Sequence, residues 1–134
     1  MSASANTAET KTARRAGSSW IRADKRLALY LRDGHRCAYC GCDLSDEAIG
    51  GDRALRTLDH IRPHVQGGSN EASNLVTACR SCNSSRQDSP LRTWARARGL
   101  DVGSIVARVT RQRRRSLSSY RAAARAIIAR EGEE

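Results

Sequence analysis

Apolar positions along the 134-residue chain come in short bursts, separated by polar stretches rich in glycine and arginine. Met1 to Gly17 is small, polar and aperiodic, and reads as a disordered lead-in. In "SSWIRADKRLALYLRDG", Trp20, Leu27 and Leu31 fall on or near one helical stripe. Ser18 or Ser19 can cap that helix and Gly34 can end it. Two later runs, "LRTLDHI" (Leu55 to Ile61) and "NLVTAC" (Asn74 to Cys79), read as strands able to pair antiparallel. Pro63, Gly67 and Gly68 punctuate the loop between them. "RSCNSSRQ" begins a short helix. Ser89 and Pro90 open another over "PLRTWARARG", with Leu91 and Trp94 as core. The remainder from Asp101 is helical, in one or two pieces broken at "SLSS", and its Ile127–Ile128 pair reads as core. The pattern therefore predicts an α+β fold: a small two-stranded core, a helix before it and helices after it. It divides the chain into a lead-in over 1–17, a core domain over 18–90 and a helical extension over 91–134.

Such a core is thin. Hydrophobic residues make up 39% of the chain and phenylalanine is absent, so a staple beyond apolar burial is expected. No segment is apolar for long enough to cross a bilayer, and the N-terminus lacks the apolar stretch of a secretory signal. No membrane association and an intracellular, cytoplasmic location are expected, where cysteines stay reduced and bind metal more readily than they form disulfides.

Cys37 and Cys40 form one C-x-x-C pair, and Cys79 and Cys82 another. Two intervening residues let both sulfurs of a pair face one ion at about 2.3 Å, so four thiolates on two tight turns predict a structural Zn2+ site. Thirty-eight residues separate the pairs, more than in an ordinary four-cysteine finger, so both strands and their loop lie inside the insert. Cys42 either is spare or competes as a ligand, and we favour spare.

Charge adds a partner. The formal net charge is +10, and only Lys11 and Lys25 among the basic residues are lysine. Between Pro90 and Arg130 stand 11 arginines and a single acid, Asp101. Guanidinium groups suit phosphate oxygens, so nucleic acid is the expected partner. Arg111, Arg113, Arg114 and Arg115 form the densest run and read as a DNA-docking segment, with Arg86 as a further phosphate contact.

Asp59 and His60 are strand neighbours, so their side chains start on opposite faces. A carboxylate is a hard ligand suited to Mg2+ or Mn2+, and an imidazole can take a proton from water near neutral pH. Asn83 follows Cys82 directly, which fixes it relative to the zinc. If its helix crosses the strands, Asn83 faces Asp59 and supplies a second oxygen ligand. Asn74 can tie the loop to the strands and hold His60. His64 and His35 read as loop and turn residues.

The ordered series C-x-x-C, D-H-I-x-P, G-G-x-x-x-x-x-N-L and C-x-x-C-N, from Cys37 to about Arg86, resembles the HNH endonuclease family. The resemblance implies a ββα-metal core over 18–90 and hydrolysis of DNA phosphodiester bonds. By position, His60 is the general base, Asn74 the central asparagine and Asp59 the metal-binding aspartate. Asn83 stands where the family's last histidine is expected, as a catalytic and metal-binding residue. The resemblance further implies a catalytic Mg2+ or Mn2+ on Asp59 and Asn83, with 5′-phosphate and 3′-hydroxyl products. Two other readings compete: a non-catalytic zinc module that binds nucleic acid, and a subunit active only with a larger partner such as a phage packaging (terminase) motor.

Overall fold

The computed structural model describes residues 21–132; Ser18, Ser19, Trp20 and the lead-in fall outside them. Two strands form, β1 over Arg56–His60 and β2 over Leu75–Cys79, paired antiparallel with Arg56 opposite Cys79 and His60 opposite Leu75. Both runs lie inside the apolar bursts of the sequence. Asn74 does not open β2; it ends a single 3-10 turn, Ala72–Asn74, just before it.

Helix α1 spans Ala23–Arg32, begins at Arg22 with no side-chain cap, and gives way to Gly34 at φ +68°. Its end is bolted to β2 by a pair of charges. Arg32 and Asp33 meet at 2.7 Å with both side chains fully buried. Arg32 donates to the carbonyls of Ala72 and Leu75. Asp33 accepts the Thr77 N–H at 2.8 Å. Every polar atom named here has a partner, which is the condition under which two charges can leave water.

Helix α2 spans Arg80–Arg86 and follows β2 without a loop, since the Cys79 sulfur accepts the Cys82 N–H and so caps it. Then come α3 over Leu91–Ala97, α4 over Val102–Arg114 and α5 over Ser118–Gly132. Pro90 precedes α3 and Ser89 does not cap it. Asp101 caps α4 by accepting the Ser104 N–H. The break between α4 and α5 falls at Arg115–Leu117, overlapping "SLSS".

One hydrophobic cluster joins Cys37, Val76, Ala78 and Cys82 of the ββα unit to Trp94, Ile105 and Val109 of α3 and α4. The helices after residue 90 therefore complete the core of the strands. Helix α5 packs along α1. Ile127 and Ile128, expected in the core, are only half buried and line a groove with Leu27 and Leu31 of α1. Among the described residues no helix is long and apolar enough to cross a membrane.

Candidate active site and zinc centre

The four cysteine sulfurs of the two C-x-x-C pairs all lie within 4.8 Å of one another, with Cys40 and Cys79 at 3.9 Å. Four ligands at 2.3 Å on a tetrahedron are separated by about 3.8 Å, so the cluster fits one Zn2+. The backbone is arranged for thiolates. Tyr39 and Cys40 N–H groups point at the Cys37 sulfur, both at 3.4 Å. Burial opposes ionisation of Cys40, but donors from Cys42, Cys37 and Cys79 outweigh it and bring its pKa down to about 7. Burial, and then the charge on Cys37, pushes Cys82 up. Four such groups cannot all be charged unless a cation sits among them. Cys42 is exposed and outside the cluster.

Beside this centre, a cleft of about 210 Å3 is lined by Asp59, His60, His64, Val65, Asn83 and Asp88, among others. The strand, the loop and α2 meet here. Asn83 donates from its amide nitrogen to Thr57 Oγ1 at 2.9 Å and to the Leu58 carbonyl at 3.2 Å. A carbonyl only accepts, so these contacts fix the amide's orientation and turn its oxygen away from β1. Asp59 and Asn83 thus bring two side-chain oxygens to a cleft that Gln87 and Asp88 also line, and oxygen donors suit a hard divalent ion.

Asp59 is 6% exposed and heavily engaged. Its Oδ2 accepts from Arg86 at 2.7 Å and from the Tyr39 hydroxyl at 2.6 Å. Burial, and then the neighbouring Asp59 charge, holds Tyr39 well above the usual phenol range, so Tyr39 remains a donor. Arg86 corrects an expectation. It is 1% exposed and also grips the His60 and Ile61 carbonyls, so it clamps β1 from beneath and does not meet phosphate at the surface.

His60 Nε2 lies 2.8 Å from Asn70 Oδ1. With the amide oxygen as acceptor, Nε2 carries the ring proton and the basic lone pair is on Nδ1. Sequence reasoning missed Asn70; an asparagine in a glycine-rich loop carries no signal of this contact. Asn74 holds the loop itself, donating to the Arg62 and Ser69 carbonyls and accepting the Arg62 N–H. Gly67 takes φ +89°, and a Cβ on Gly68 would stand 1.7 Å from the Arg62 carbonyl oxygen, so both glycines are required by the turn. His64 is exposed on the same loop, its ring centroid 5.8 Å from that of His60. His35 sits in the turn after α1 at φ +56°.

The arginine run does not form one strip. Arg111 lies on α4 and Arg115 just past its end, and both line one cleft that Arg113 does not reach. Arg113 donates to the Ser73 carbonyl at 2.6 Å, Arg115 donates to the Arg32 carbonyl at 3.2 Å, and Arg114 is exposed.

The sequence of residues 37–89, which forms the strand pair, α2 and the four-sulfur centre, matches the family described as HNH endonuclease. Residues 37–89 belong to the HNH endonuclease family. The chain is 32% identical over 83 residues to the CRISPR-associated endonuclease Cas9 of Corynebacterium diphtheriae, covering 61% of this chain and 7% of that protein. It is 36% identical over 61 residues to the SPbeta prophage-derived protein YoqL of Bacillus subtilis, assigned to the HNH endonucleases, covering 45% of this chain and 26% of that one. The crystal structure of the Type II-C Cas9 of Actinomyces naeslundii superposes with a TM-score of 0.54 at 26% identity, over 84% of this chain and 13% of that one. The chain thus spans a small part of each relative. The likeness to Cas9 in fold extends past the HNH segment.

Proposed function

We propose that the chain is a zinc-stapled HNH endonuclease that hydrolyses DNA phosphodiester bonds with a second, catalytic divalent ion. The observation that carries this reading is the shared cleft of Asp59, His60 and Asn83, set against the four-sulfur centre. Zn2+ is the ion for the sulfurs, and Mg2+ or Mn2+ the ion for the oxygens. His60 takes a proton from water at Nδ1, with Asn70 holding the ring through Nε2. Asn74 keeps the loop, and so the nucleophile's approach, in one conformation. Asp59 and Asn83 would hold the catalytic ion, which when bound offsets charge on the phosphate and the leaving 3′ oxygen. Asn83 in place of histidine favours hard ions over soft ones. A nuclease of this kind works where DNA is, inside a cell.

The test is plasmid cleavage by the zinc-loaded chain with added Mg2+ or Mn2+. His60→Ala should lower the rate by about a hundredfold or more while zinc content and DNA binding persist. Cleavage that survives His60→Ala would remove its role as base. One observation favours a non-catalytic DNA-binding module: Asp59 Oδ2 already has two donors, which compete with a metal. That reading wins if wild type and His60→Ala both bind DNA and neither cuts. Cleavage that begins only on adding a phage terminase motor would make the chain a recruited subunit.

A further inference from the structure

A larger cleft, of about 450 Å3, shares no lining residue with the one at His60. It opens between the end of α1, the first cysteine turn, the C-terminal half of α4 and the start of α5. Five arginines line it, and the Arg32 charge is neutralised by Asp33. The other four, Arg36, Arg108, Arg111 and Arg115, pair with no carboxylate among the described residues.

Three of these four are anchored through a single nitrogen to backbone. Arg36 donates to the Gly41 carbonyl at 3.1 Å, Arg108 to Ala38 at 2.9 Å and Arg115 to Arg32 at 3.2 Å. A guanidinium has five N–H groups, so one such bond orients it and leaves others for an anion. Arg108 and Arg111 stand three apart on α4 and so share one side of it, and Arg115, at the helix's extended C-cap, completes the lining. Gln112 lies between them in the lining and is 9% exposed; its Oε1 is buried and finds no donor among the described residues. Tyr120 is the aromatic ring in the lining. Unopposed guanidiniums and a π-face are complementary to a nucleotide's phosphate and base.

We propose that this cleft is a second nucleic-acid site, which holds a nucleotide of a single-stranded stretch away from the bond being cut. Phosphate contacts Arg36 and Arg111, and the base stacks on Tyr120. The proposal deepens the nucleic-acid reading above and needs no catalysis. Its test is binding of the full zinc-loaded chain to a labelled single-stranded DNA oligonucleotide across a range of NaCl, with no added divalent ion. Arg36→Gln and Arg111→Gln should each weaken binding and lower the log–log salt slope by about one. Tyr120→Leu should cost about tenfold in affinity with the slope kept. Arg111 holds no protein group among the described residues, so its variant reports even if Arg36→Gln disturbs the cysteine turn. Affinity and slope unchanged in all three variants would overturn the proposal. The two readings fail separately: His60→Ala should stop cleavage and leave the slope alone. A slope that falls in Arg111→Gln supports the cleft even where wild type does not cut.

Discussion

Asp59 shows how one buried side chain is fixed in place by its neighbours. Its carboxylate is buried, yet it accepts from a guanidinium and a phenol whose own positions are fixed by Ile61, His60 and the core. Removing one partner of such a pair leaves an uncompensated buried charge. Arg86→Met should therefore destabilise the zinc-loaded protein by about 3–5 kcal/mol in urea titration, with Asp59→Leu in the same chain recovering much of the loss. Tyr39→Phe removes one hydrogen bond to a charged group and should cost about 1.5–3 kcal/mol. A double variant no more stable than Arg86→Met would show that the pair is not what holds β1 to α2. That Asp59 and Asn83 line one cleft was legible in part, because Asn83 follows Cys82 directly and its helix was expected to cross the strands. The burial of Arg86 could not. Arginine is mostly a surface residue, and nothing in its spacing reveals that it reaches back under β1.

At the scale of elements, the strands and helices were legible where periodicity was strong, as in β1, β2 and α1. Boundaries were not, because they depend on contacts distant in sequence. Asn74 turns before β2 since its amide is needed on Arg62 and Ser69. The docking of α5 onto α1 was invisible for the same reason. It is pinned by Asp24, which meets Arg125 at 3.1 Å and Arg121 at 3.5 Å. The Arg125 hydrogen bond holds Asp24 below the usual carboxylate range. A lowered carboxylate pKa contributes stability at pH values above its unfolded value, about 3.9, and that contribution fades as pH falls through the folded one. Asp24→Asn should thus speed amide exchange in Ser118–Gly132 at pH 7. The difference from wild type should stay constant down to about pH 5 and shrink below pH 4. Equal exchange at pH 7 would show that the apolar α1–α5 contact suffices, as it can when a pair is near the surface.

For the molecule as a whole, the four-sulfur centre and the thin apolar core are wired together. Two of the four clustered cysteines, Cys37 and Cys82, are themselves members of the main hydrophobic cluster, and Trp94 and Val109 belong to it too. The Trp94 ring meets Tyr39, which lies between Cys37 and Cys40, with centroids 5.3 Å apart. Metal loss should therefore spread from the sulfurs to α3 and α4, well past the cysteine turns. A chelator strong enough to strip zinc should release about one equivalent per chain, shift tryptophan emission to the red and abolish the cooperative thermal transition. Cys79→Ser should reproduce that state without chelator, because it removes both a ligand and the cap of α2. Cys42→Ser should change none of these, since its sulfur stands outside the cluster. The decisive measurement is the thermal transition of the stripped protein. If it keeps its midpoint, apolar burial alone holds these helices, and the zinc serves only to place Asn83.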